Sequence, residues 1–102
     1  MRCLSRLTFH TIPGKTGELE KELKKLGEMV TGVGGVKPRV LHTHFASQGA
    51  PDVVFEQEAS DVNSLETQIK KLTESREFQI WTKKISGLLT GSPKREIYLI
   101  LD

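Results

Sequence analysis

Cysteine is almost absent from the chain. Cys3 is the only one, so no internal disulfide can close and no cysteine-rich zinc cluster can assemble. A surplus of charge is missing too. Fifteen Lys and Arg stand against thirteen Asp and Glu, a formal net charge of +2. That balance is too even to draw phosphate backbones or anionic membranes, so neither nucleic acid nor a membrane is expected as a partner. No stretch approaches the roughly 18 apolar residues of a membrane span, and the opening MRCLSRLTFHTI lacks the apolar run of a signal peptide. A reducing, cytoplasmic setting is the expectation. Aromatics make up 6% of the sequence, with one tryptophan and one tyrosine, which excludes a broad base-stacking surface.

What is present reads as a globular domain: 36% hydrophobic and 27% charged residues over a length of 102. One domain spanning 1–102 is expected, burying roughly 60–65% of the surface of its unfolded chain. Residues 3–12 carry Leu, Thr, Phe and Ile without helical spacing and close on Pro13-Gly14, the pattern of a strand and turn. From Lys15 to Thr31, Leu19, Leu23, Leu26 and Val30 recur at helical spacing before Gly32-Val33-Gly34-Gly35 and Pro38 stop the helix. Residues 39–47 and 52–59 alternate in period two around Gln48-Gly49-Ala50-Pro51, which predicts a hairpin. Ser60-Asp61 supplies cap oxygens for a helix carrying Val62, Leu65, Ile69 and Leu72, and Ser75 restarts a second helix with Phe78, Trp81, Ile85 and Leu88 on one stripe. Gly91-Ser92-Pro93 ends that helix, and Glu96 to Leu101 forms a last strand. The order β-α-β-β-α-α-β is that of an α+β, ferredoxin-like sandwich, with a four-stranded antiparallel sheet and helices on one face.

Several strands are apolar on both sides. Ile97, Leu99 and Leu101 oppose Tyr98 and Ile100, and Val53 and Phe55 oppose Val54. Helices from one chain cover only one sheet face, and the other would leave several hundred Å² of apolar surface in water, more than monomers tolerate. A second copy, sheet face on sheet face, is the expected partner.

Two stretches of text fit a known group of proteins. Pro13-Gly14-Lys15 falls between a first strand and an acidic, leucine-bearing helix, and Ser75-Arg76-Glu77-Phe78-Gln79 is followed by Ile85, Leu88, Leu89, Gly91 and Pro93. In these features the chain resembles the dimeric α/β-barrel superfamily, nearest its antibiotic-biosynthesis-monooxygenase-like branch and related to NIPSNAP-type domains. The resemblance implies a homodimer with a cavity between sheet and helices. That superfamily holds cofactor-free quinone-forming oxygenases, heme-degrading monooxygenases, ligand-binding stress proteins and many members without known activity, so the resemblance implies fold and dimer more than chemistry. The heme-degrading branch uses an asparagine, a tryptophan and a histidine where this chain has Leu7, Leu72 and Thr82, so that chemistry is not implied here. No cofactor is expected.

The candidate site residues follow from residue type and place. Trp81 and Phe78 either fill the core or wall a pocket for a flat aromatic ligand, and both uses are compatible. His42 and His44, two residues apart on one strand, are expected on one face, where they could move protons or hold a metal with His10, Glu56 or Glu58; packing at the barrel interior or dimer seam is the plainer reading, and no metal is expected. His10 near a turn is a candidate base, and Tyr98 could orient a carbonyl or fill the seam. Arg6 and Arg39 could receive a carboxylate from a ligand or the partner subunit, or form ordinary salt bridges. The glycine run follows a helix and lacks the lysine of a phosphate loop, and the short pairs Lys70-Lys71 and Lys83-Lys84 read as solvated helix surface. Two functions stay open: a cofactor-independent oxygenase acting on a flat aromatic small molecule, and a non-catalytic ligand-binding or stress-response module. The RNA-recognition motif shares the element order, but Phe9 and Tyr98 alone do not supply its aromatic run.

Overall fold

The helix stop after the first helix shows how local chemistry sets the frame. The Gly34 N–H bonds to Thr31 O and the Gly35 N–H to Val30 O, both at 3.0 Å, and Gly34 takes a φ of 89°. This is a Schellman closure, which needs a left-handed residue that glycine adopts without strain. The computed structural model describes residues 1–101. Their order is β1 (Cys3–Phe9), α1 (Thr16–Gly32), β2 (Arg39–His42), β3 (Val53–Ala59), α2 (Val62–Glu74), α3 (Arg76–Ser86) and β4 (Lys94–Leu99). The expected element order and α+β class are present. The strands pair antiparallel in the order β2-β3-β1-β4.

Some boundaries differ from the sequence reading, each for a visible reason. β1 ends at Phe9 instead of Ile12, because Asp52 Oδ2 accepts from the Thr11 N–H at 2.8 Å while the Ile12 N–H turns to Leu88 O at 2.9 Å. β2 stops at His42 instead of Ser47: past the His42–Val53 pair the Thr43 N–H reaches Asp52 O at 3.0 Å and its Oγ1 donates to Pro51 O at 2.6 Å, after which the chain turns away. α3 ends at Ser86, with Gly87 as its C-cap, and the turn that follows brings Leu89 opposite Thr11 in a single bridge. β4 runs from Lys94 to Leu99 instead of Glu96 to Leu101: Lys94 and Arg95 still face Thr8 and Leu7 of β1, and the pairing ends at Cys3 opposite Leu99.

Period-two alternation and this register assign the sheet faces. Cys3, Ser5, Leu7 and Phe9 of β1 share the helix side with Val53, Phe55, Gln57 and Ala59 of β3 and Arg95, Ile97 and Leu99 of β4. The main core joins Phe9, Val53 and Phe55 to Leu19, Leu23 and Leu26 of α1 and to Trp81 and Ile85 of α3. A smaller cluster of Cys3, Ala59 and Leu65 seats α2. The helical layer leaves the β4 edge open, with Ile97 and Leu99 43% and 56% exposed.

The opposite face is less oily than its alternation suggests. Leu4, Val54, Leu41 and Tyr98 are there, but the centre is ionic: Glu56, only 4% exposed, takes Arg6 from one side and Arg39 from the other, each at 2.8 Å.

Two neighbouring glycines are expected to respond in opposite ways. A Cβ on Gly35 would lie 2.6 Å from Val30 Cγ1 and 3.0 Å from the amides of Gln57 and Gln68, whereas a Cβ on Gly32 meets nothing. Gly35→Ala should cost about 1–3 kcal/mol in urea unfolding, while Gly32→Ala should be neutral or stabilise by up to about 1 kcal/mol. Equal effects at both positions would contradict the close approach.

Candidate ligand-binding cavity

Ser75 begins the construction of the site. It caps α3 by accepting from the Phe78 N–H at 3.2 Å and donates back to Leu72 O at 2.7 Å, so α3 starts at a fixed point on α2 and turns its apolar stripe inward. Trp81 is buried, and its indole N–H donates to Glu22 O of α1 at 3.0 Å. Phe78 stacks beside it with ring centroids 5.9 Å apart and an interplanar angle of 27°. The same Glu22 binds Lys84 of α3 and Lys25 of its own helix through its carboxylate, each at 3.1 Å. The Lys84 hydrogen bond holds the Glu22 pKa below the ordinary carboxylate value, against the upward pull of burial.

The two rings form one wall of a cavity of about 240 Å³ between helices and sheet. Leu7, Phe9 and Phe55 form the sheet side, and Leu26, Val30 and Leu72 add apolar surface from α1 and α2. Its polar lining is sparse: Gln57, Gln68, Thr82 and Arg95. Gln57 Nε2 donates to Gln68 Oε1 at 2.7 Å, tying β3 to α2, and Arg95 Nη1 donates to Ser5 Oγ at 2.6 Å. Sequence reasoning missed Arg95, Gln57 and Gln68. Strand alternation could have found Arg95, had β4 been started early enough to place it on the side of Ile97 and Leu99.

Of the residues singled out in the sequence, Trp81 and Phe78 line this cavity. The others are elsewhere. Arg6 and Arg39 are on the far face of the sheet with Glu56, and Tyr98 is there too, with the Arg6 guanidinium 5.5 Å from its ring centre. A hydrogen bond with Glu96 raises the Tyr98 pKa, which makes the phenol a weaker acid. His10 Nε2 lies 3.2 Å from Gly49 O, and His42 Nδ1 pairs with Glu20. The expectation that His42 and His44 share one strand face is corrected: β2 ends at His42, and His44 is exposed in the loop that follows. The groups named to complete a metal set are engaged, Glu56 with its arginines and Glu58 with Arg2 at 3.4 Å. Among the described residues no cluster of three or more His, Cys, Asp or Glu forms a metal site. Leu7, Leu72 and Thr82 all line the cavity.

No family model and no curated protein sequence matches the chain, but solved structures do. A NIPSNAP-like domain protein from Burkholderia xenovorans matches with a TM-score of 0.73 at 18% identity, over 98% of this chain and 85% of that one. A Nitrosomonas europaea protein provisionally assigned as an antibiotic biosynthesis monooxygenase matches at 0.72 and 14%, over 98% and 90%. A dimeric protein of unknown function with a ferredoxin-like fold from Bacteroides fragilis matches at 0.68 and 10%, over 97% and 96%. The chain therefore has the α+β ferredoxin-like fold. Its structural neighbours include NIPSNAP-like and antibiotic-biosynthesis-monooxygenase-like proteins, the groups its sequence resembles.

The Glu22 clamp has a definite pH signature. A carboxyl whose pKa is lowered on folding adds stability at pH values above its ordinary value of 4.5, and that stability is lost as pH falls through the lower folded value. Glu22→Gln should thus lower Tm at pH 7, and the gap from wild type should narrow as pH falls below about 4.5. A gap that stays constant down to pH 3 would separate the clamp from the charge of Glu22.

Proposed function

We propose that the protein is a homodimeric small-molecule-binding domain that takes a flat, largely apolar ligand into the cavity between α3 and the sheet. The observation that carries this reading is the lining itself: an aromatic wall of Phe78 and Trp81, aliphatic surface around it and few polar groups. Such a composition suits burial of a ring system oriented by a small number of directed contacts. At about 240 Å³ the space suits a ligand of one or two rings. The candidate histidines and Tyr98 lie away from this lining, which favours binding over proton-transfer catalysis there.

A second reading is cofactor-independent oxygenase chemistry, in which a dihydroxyaromatic substrate would itself reduce oxygen. The likeness to the Nitrosomonas europaea structure favours it. Its check is oxygen uptake with a panel of dihydroxyaromatics, and uptake that survives Trp81→Phe unchanged would take the cavity out of the chemistry.

The dimer is proposed through the sheet face that carries Leu4, Val54 and Leu41, and a structural neighbour is described as dimeric. Leu41 and Tyr98 are 41% and 44% exposed there, and a second copy would bury them around the Arg6–Glu56–Arg39 group.

Trp81 is the only tryptophan, so its indole N–H gives a single NMR resonance at the cavity wall. Flat one- and two-ring aromatics should shift that resonance saturably, and a panel that leaves it unmoved would end the binding reading. Sedimentation should give a dimer at micromolar concentration that Val54→Glu converts to monomer; a wild-type monomer would remove the sheet-face interface.

A further inference from the structure

Arg95 is the one charged group in the lining of the cavity. It is placed there by register: its β1 partner is Leu7, which puts it on the helix side of an edge strand that otherwise turns Ile97 and Leu99 that way. Arg95 is exposed as a residue, yet its guanidinium reaches inward far enough for Nη1 to donate to Ser5 Oγ at 2.6 Å, and Ser5 is 1% exposed. Among the described residues that hydroxyl is its one hydrogen-bond acceptor. The ion pairs among the described residues join other partners, including Arg6 and Arg39 to Glu56, and none involves Arg95. Burial lowers the Arg95 pKa with no opposing carboxylate.

A partly desolvated guanidinium without an anion is unfavourable, and its remaining N–H donors form a planar fork that matches a carboxylate. Leu7, its cross-strand neighbour, would pack as well against an aliphatic residue. We propose that Arg95 makes the cavity selective for a monocarboxylate: an aromatic or compact apolar acid whose rings lie along Phe78 and Trp81 and whose carboxylate pairs with the guanidinium. One cation neutralises one negative charge, so a phosphate monoester, carrying between one and two at neutral pH, is less well matched. Ser5 acts as a positioning residue, holding one amino group of the fork so that the others face the ligand.

The inference rests on the cavity being a binding site, and one set of ligands separates the two claims. 2-Naphthoate, 2-naphthamide and 2-naphthyl phosphate present the same rings with an anionic, a neutral and a more highly charged head. In titrations of wild-type protein followed at the Trp81 indole N–H, the acid should bind about tenfold or more tighter than the amide. Arg95→Gln should abolish that difference by weakening the acid much more than the amide. A readout without any substitution is the Arg95 Nε–H resonance, which the acid should shift more than the amide. Equal affinities for acid and amide, or tightest binding of the phosphate, would overturn the carboxylate inference while leaving the cavity a binding site. Failure of all three to move the indole resonance would overturn both.

Discussion

The hydrogen bond from the Trp81 indole to Glu22 O holds the third helix at one distance from the first. The pocket exists because of that spacing. The same residue, Glu22, fixes the helices a second time by drawing Lys84 across the gap, so one short segment of α1 serves as anchor for both the backbone and the charge of α3. With α3 held there, Phe78 and Trp81 cannot collapse fully onto Phe9 and Phe55. Trp81 is then both core and cavity wall: it belongs to the main cluster with Ile85 and Leu88, and it also lines the cavity. The choice between packing and pocket, posed by its position on an apolar stripe, is a false one for a side chain this large.

The two faces of the sheet use arginine differently. On the outer face Arg6 and Arg39 share the buried carboxylate of Glu56, so charge is compensated inside the chain and the group serves the architecture of that face. On the inner face Arg95 has, among the described residues, a hydroxyl for its partner. Sequence alone does not separate these cases, since all three are arginines on strands, and only cross-strand register reveals which has an acid opposite.

Legibility followed the range of the interactions. Elements set by nearby residues were clear: the leucine spacing of α1, the glycine stop, the Asp61 cap that accepts from Ser64 N at 2.7 Å, and the Ser75 restart. Strand ends were not, because they depend on distant partners. Nothing in the text from Thr43 to Ser47 announces that Thr43 will turn to Pro51, nor that Asp52 will pull Thr11 out of β1. The candidate site was half visible. Its aromatic wall lay on a helical stripe, whereas Arg95 and the Gln57–Gln68 pair needed the sheet register and the approach of α2. Gly35 belongs to that second kind as well: it reads as loose connection but is held tightly against Val30 and the two glutamines.

The strand order carries a consequence for how the chain assembles. β1 is made first but sits in the middle of the sheet, and its neighbours come much later: Arg6 meets Glu56 50 residues on, and Thr8 meets Lys94 86 residues on. During synthesis the segment around Leu4 and Phe9 therefore waits with both edges unpaired, while α1 and the β2–β3 hairpin can form from short-range contacts. Closure of the sheet falls to the last strand, so nascent chains paused before β4 would leave their central strand open on one side to pairing with a neighbour.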